Sequence, residues 1–121
     1  MRILIGALLL TALLLALAPG AARSQQQRPE IAIQDFEFKP AELRVTLTGG
    51  KAEVRWVSNG PSPHHVVADR GTFDSKPLAR GASFSFTFTG AGTFAYHCQI
   101  HPSMKGQVIV ANEQKEPGEG Y

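Results

Sequence analysis

The sequence predicts an all-β domain in which short strands pack as an antiparallel sandwich or barrel. Three observations carry that reading. Apolar and polar residues alternate with period two from Ile31 almost to Val110, the pattern of strands with one buried face. Clusters of Gly, Pro, Asn and Ser interrupt the alternation at short intervals, as turns would. After Arg23 no stretch carries apolar residues at the spacing of an amphipathic helix. Such a pattern of elements argues for sheet on sheet or for a closed sheet.

The start of the chain stands apart. Met1-Arg2 supplies a positive charge, Ile3 to Ala18 is almost purely apolar, and Pro19-Gly20-Ala21-Ala22 breaks the run with small residues. The run is short of the roughly 20 residues that a spanning helix needs. Residues 1–22 are therefore expected to be a Sec-type secretory signal peptide cut near Ala22. An uncleaved membrane anchor is the alternative, and there is no cysteine nearby to accept lipid. Residues 23–29 read as a flexible lead-in, 30–111 as the folded domain, and 112–121 as a polar tail.

Within the domain, Ile31-Ala32-Ile33-Gln34 and Phe36-Glu37-Phe38 alternate or nearly so until Pro40. Leu43, Val45 and Leu47 alternate with Arg44, Thr46 and Thr48 before the Gly49-Gly50 turn. Ala52, Val54, Trp56 and Ser58 alternate with Glu53, Arg55 and Val57, and Asn59-Gly60-Pro61-Ser62-Pro63 reads as a loop. Further strands are expected around residues 64–68, 83–89, 92–98 and 106–111. Asp69 to Gly81 is too polar and too marked by Gly and Pro for a long helix. Phe84, Phe86 and Phe88 share one face and should supply much of the core. The total is about seven or eight short strands.

Charge excludes one class of partner. Twelve Lys and Arg against ten Asp and Glu leave a formal net charge of +2, with the basic residues scattered singly. No basic run or aromatic-interleaved stripe points to nucleic acid. Cys98 is the one cysteine, so an exported domain of this kind has no disulfide within the chain. A lone exported thiol is a liability unless something occupies it, and a metal does that.

The chemistry-bearing residues lie in two clusters, Pro63-His64-His65-Val66 and Cys98-Gln99-Ile100-His101-Pro102-Ser103-Met104. They offer a thiolate, a thioether and two imidazoles. A His₂Cys set with a weak axial Met is the donor combination of copper electron-transfer sites. Strand parity narrows the choice of histidine. His64, Val66 and Ala68 alternate with His65, Val67 and the charged Asp69, which places His64 inward and His65 outward. Phe94, Tyr96 and Cys98 form the apolar set of their strand and leave His97 facing out. His64, Cys98, His101 and Met104 are thus the candidate ligands. Zinc competes for thiolate and imidazole, but a thioether is not among its usual ligands.

These motifs, with Gly92-Thr93-Phe94-Ala95-Tyr96-His97-Cys98 and Gly71-Thr72-Phe73-Asp74-Ser75 followed by Leu78 and Gly81, resemble the cupredoxins. The resemblance is to the small blue (type 1) copper proteins of the plastocyanin, amicyanin and pseudoazurin group, and it runs from about Ile31 to Val110. The three-residue step from His101 to Met104 matches the short, amicyanin-like loop. One departure concerns the residue after the first ligand histidine, often Asn in the family, where this chain has His65; Gln99 follows the cysteine.

The resemblance implies a Greek-key sandwich and one copper ion held by His64, Cys98 and His101 with Met104 axial. It also implies a one-electron carrier cycling Cu(II)/Cu(I) between redox partner proteins in the periplasm. Partners are expected to dock near His101, where Pro61, Pro63 and Pro102 would rim an apolar patch. A copper-delivery protein is the alternative. Neither an enzyme nor a small-molecule substrate is expected, because one domain with one ligand set has no room for substrate chemistry. Nothing demands more than a monomer, with membrane contact only if residues 1–22 stay attached.

Overall fold

The computed structural model describes residues 28–114. The expected signal peptide, all but the end of the lead-in, and the tail beyond Gln114 lie outside the described residues. Eight strands follow in order: β1 (Glu30–Gln34), β2 (Glu37–Lys39), β3 (Glu42–Thr46), β4 (Ala52–Ser58), β5 (Val66–Ala68), β6 (Ser83–Phe88), β7 (Gly92–Cys98) and β8 (Lys105–Ala111). They form two four-stranded sheets, ordered β2-β1-β4-β6 and β3-β8-β7-β5. The described residues contain no helix.

The sandwich is mixed, not purely antiparallel. β1 pairs parallel with β4, and β3 pairs parallel with β8. The chain runs β1–β2 in one sheet, crosses to the other as β3, and returns as β4. A crossover of this kind brings the returning strand beside β1 in the same direction. Period-two alternation identifies a strand's buried face but carries no information on its neighbour's direction.

Alternation does predict the core. β4 buries Ala52, Val54, Trp56 and Ser58 and leaves Glu53, Arg55 and Val57 half-buried. β7 buries Tyr96 and Cys98 from the facing sheet. The Trp56 ring meets Tyr96 edge-on at a centroid separation of 5.5 Å and lies 5.2 Å from Phe73, while Phe38 meets Tyr96 at 4.8 Å. Burial pushes the Tyr96 phenol up to about 12. Gly106 is the register partner of Tyr96, and a Cβ there would collide with the phenol ring. Glycine in the strand is what lets that ring lie down.

Two expectations need correction. Phe36 does not share a buried face with Phe38: it occupies the turn between β1 and β2 with φ of 69° and is 68% exposed. Of the three phenylalanines of β6, Phe88 is buried while Phe84 and Phe86 are half-buried, because β6 is an edge strand. The irregular segment Asp69–Gly81 runs back along the free edge of β5. Ala68 N–H donates to Phe73 O (2.9 Å), Ser75 N–H to Val66 O (2.9 Å), and Val66 N–H to Ser75 Oγ (2.9 Å). Covering an edge in this way removes a template for intermolecular pairing.

Candidate metal centre

β4, β7 and the β1–β2 hairpin all finish at one end of the sandwich, and the donor residues gather there. Cys98 is the last residue of β7 and is fully buried. A tight turn follows, closed by two main-chain bonds: Met104 N–H donates to His101 O (2.9 Å) and Cys98 N–H to Met104 O (3.0 Å). That turn returns the chain to β8 and leaves the Met104 side chain buried. His64 precedes β5 and is clamped to Leu78 in both directions, His64 N–H to Leu78 O (3.0 Å) and Leu78 N–H to His64 O (2.6 Å).

The two donor loops are tied to each other through the main chain. Gln99 N–H donates to His65 O at 2.8 Å. With His at position 65, a direct main-chain bond between the loops is thus in place.

The two imidazoles converge on one sulfur. His64 Nδ1 lies 3.9 Å and His101 Nδ1 3.8 Å from Cys98 Sγ, and the donor atoms of the three residues all fall within 4.8 Å of one another. A single ion bound at about 2.0–2.3 Å from N and S would hold such atoms about 3.6–3.8 Å apart. The protons argue the same way. The outer nitrogen of His64, Nε2, faces the Asp35 carboxylate at 3.2 Å, and an ionised carboxylate only accepts. The proton therefore sits on Nε2, and the Nδ1 lone pair points at the sulfur. A cation at this point would be met by the thiolate and by the Nδ1 lone pairs of both imidazoles. Buried soft and borderline donors of this kind fit copper.

The sequence singled out His64, Cys98, His101 and Met104. The first three are brought together, with His64 and Cys98 buried and His101 half-buried, and Met104 is buried in the same turn. His65 and His97 turn away, as parity predicts, and each finds a carboxylate. His97 Nδ1 lies 2.6 Å from Asp69 Oδ1 and Nε2 lies 3.3 Å from Gln99 Oε1. His65 Nε2 lies 2.5 Å from Asp74 Oδ1, which also accepts Lys76 N–H at 2.8 Å. That amide bond, with the His65 bond second, holds the Asp74 carboxyl down at about 2.

Sequence reasoning missed Asp35 and Phe36. Asp35 lies 29 residues before His64, and no spacing rule links a turn to a ligand at that distance. Phe36 meets the His101 ring edge-on at 5.3 Å. Its exposure, with that of Ile100 at 44% and of Pro61, Pro63 and Pro102, gives this end of the molecule apolar surface.

Comparison with known proteins agrees with this geometry. The cupredoxin-like domain family matches residues 6–110. Amicyanin-alpha of Methylorubrum extorquens is 35% identical over 104 residues, covering 78% of this chain and 85% of that protein. The plastocyanin of Scenedesmus fuscus is 34% identical over 86 residues, covering 60% of this chain and 85% of that protein. The solved structure of an oxidized, singly substituted amicyanin superposes with a TM-score of 0.64 at 28% identity, over 74% of this chain and 87% of that one.

Proposed function

Given that the chain belongs to the cupredoxin-like family of small blue copper proteins, we propose that it carries single electrons between redox proteins outside the cytoplasm. Bound copper supplies the one-electron change between Cu(II) and Cu(I). His64, Cys98, His101 and Met104 would hold it. The observation that carries this reading is the convergence of two Nδ1 atoms from separate loops on one buried sulfur.

The rest of the chain makes that work possible. The main-chain clamps on His64, Cys98 and Met104 hold the donors in place without the metal. Burial of His64, Cys98 and Met104 keeps bulk water from three of the four donors. His101 alone reaches partly towards solvent, amid Phe36, Ile100 and Pro102, which makes its edge the electron port and this apolar end the docking surface. In this reading residues 1–22 direct export and are removed, and the folded domain acts as a monomer and a carrier, with no substrate of its own.

The test is optical. Cu(II) added to the purified protein should produce an intense blue thiolate-to-copper band that ascorbate bleaches and oxidant restores, and Cys98→Ser should abolish it. Absence of the band in the wild-type protein, or its survival in Cys98→Ser, would refute the assignment. A band that appears but fades on dialysis against a chelator would favour copper delivery over electron carriage.

A further inference from the structure

We propose that Asp35 is a positioning residue for His64 that also lowers the reduction potential of the site, a role that rests on the copper-site reading above. Asp35 sits at the first position of the two-residue β1–β2 turn, beyond the Gln34–Glu37 pair that ends the hairpin. Its Oδ1 lies 3.2 Å from His64 Nε2. The same carboxylate reaches the loop that leads into His64: Ser62 N–H donates to Oδ1 (3.4 Å) and Ser62 Oγ–H to Oδ2 (3.3 Å). Gly60 makes room for this, since a Cβ there would collide with Asp35 Oδ1. Asn59 N–H donates to Ile33 O at 2.8 Å, so the hairpin and the loop are joined on both sides of the carboxylate.

Three consequences follow from one side chain. Accepting from Nε2 fixes the His64 tautomer that leaves Nδ1 free to bind metal, and it fixes the rotation of the ring. A carboxylate on the far nitrogen makes the imidazole a stronger donor. Its negative charge, about three-quarters shielded from solvent with a side-chain exposure of 27%, favours the more positive oxidation state. Cu(II) is therefore stabilised relative to Cu(I). The fully buried His64 has no exposed face at which water could take over this role.

Asp35→Asn keeps the shape and removes the charge, and serves as the main test. Partners of metal-bound histidines typically change affinity by about 10–100-fold when altered. Weakening Cu(II) binding about tenfold with Cu(I) binding unchanged raises the midpoint potential by about 59 mV for one electron. The expected result is a blue Asp35→Asn protein with a potential raised by about that much, with Asp35→Glu recovering part of the difference. An Asp35→Asn protein as blue as the wild type and equal to it in potential would overturn the proposal. A wild-type protein with no blue band would instead refute the copper-site assignment. In that event the metal-free protein still decides the positioning role, because ¹⁵N imidazole spectra should show His64 protonated at Nε2 alone, and mixed tautomers in Asp35→Ala. Identical spectra for the two would overturn it.

Discussion

His64 and His65 are neighbours in sequence with opposite surroundings, and that contrast sets what each does. His64 points into the sandwich and ends on a sulfur. His65 points out and ends on Asp74, which Lys76 N–H also holds. The Asp74 carboxyl is depressed from 3.8 to about 2 in the fold, so its bonds contribute stability that is fully present above about pH 4. That contribution fades as pH falls from about 4 towards 2, where the folded-state carboxyl takes its proton. Asp74→Asn should therefore flatten acid sensitivity in this window: thermal melts of the two proteins should differ at pH 6 and converge near pH 2. A constant difference across that range would show that the charge of Asp74 is not what matters. At this scale the sequence was legible wherever period two applied, and it sorted His64 from His65 and Cys98 from His97 without help. Asp35 and Phe36 were not legible. They lie in a turn, where alternation stops, and their partners His64 and His101 are joined to them only through the closed sandwich.

Among the elements, β7 does most to connect the core to the site. Its inward face carries Tyr96 against Trp56 and Phe38, then Cys98 against the two imidazoles. The depth to which Tyr96 sinks depends on Gly106 across the ladder. Gly106→Ala would force the ring outward, and overpacking of this kind typically costs about 1–3 kcal/mol. The variant should unfold at lower denaturant with little change in slope. It should also broaden the copper absorption if the displacement travels the two residues to Cys98. Stability equal to the wild type would mean that Tyr96 has an alternative seat. Strand positions were readable from side-chain alternation, to within two residues for β5 through β8. The parallel pairing of β1 with β4 and β3 with β8 was not, because it follows from which sheet each connection enters.

The whole molecule is polarised. One end carries the donor residues together with exposed Phe36, Ile100, Pro61, Pro63 and Pro102. The other end, where β4 begins, carries the Arg28–Glu53 pair, 3.1 Å apart, and charged Lys51. Electron transfer weakens steeply with distance, so on the reading that His101 is the electron port two copies exchange electrons fastest when their His101 ends, with exposed Phe36, Ile100 and Pro102, meet. Pro102→Glu places a like charge on both faces of such an encounter. At low ionic strength the electron self-exchange rate, read from NMR line widths of mixed oxidised and reduced protein, should fall at least about tenfold. Raising salt should recover part of it, since the Debye length shrinks from about 30 Å at 0.01 M to about 10 Å at 0.1 M. The blue band should be unaltered, because Pro102 contributes no donor atom to the site. Ile100→Glu should behave alike, as a second charge on the same face, whereas Lys51→Glu at the far end should leave the rate within about twofold. Equal slowing by all three would point to net charge as the cause, and unchanged rates in Pro102→Glu and Ile100→Glu would move the electron port away from His101.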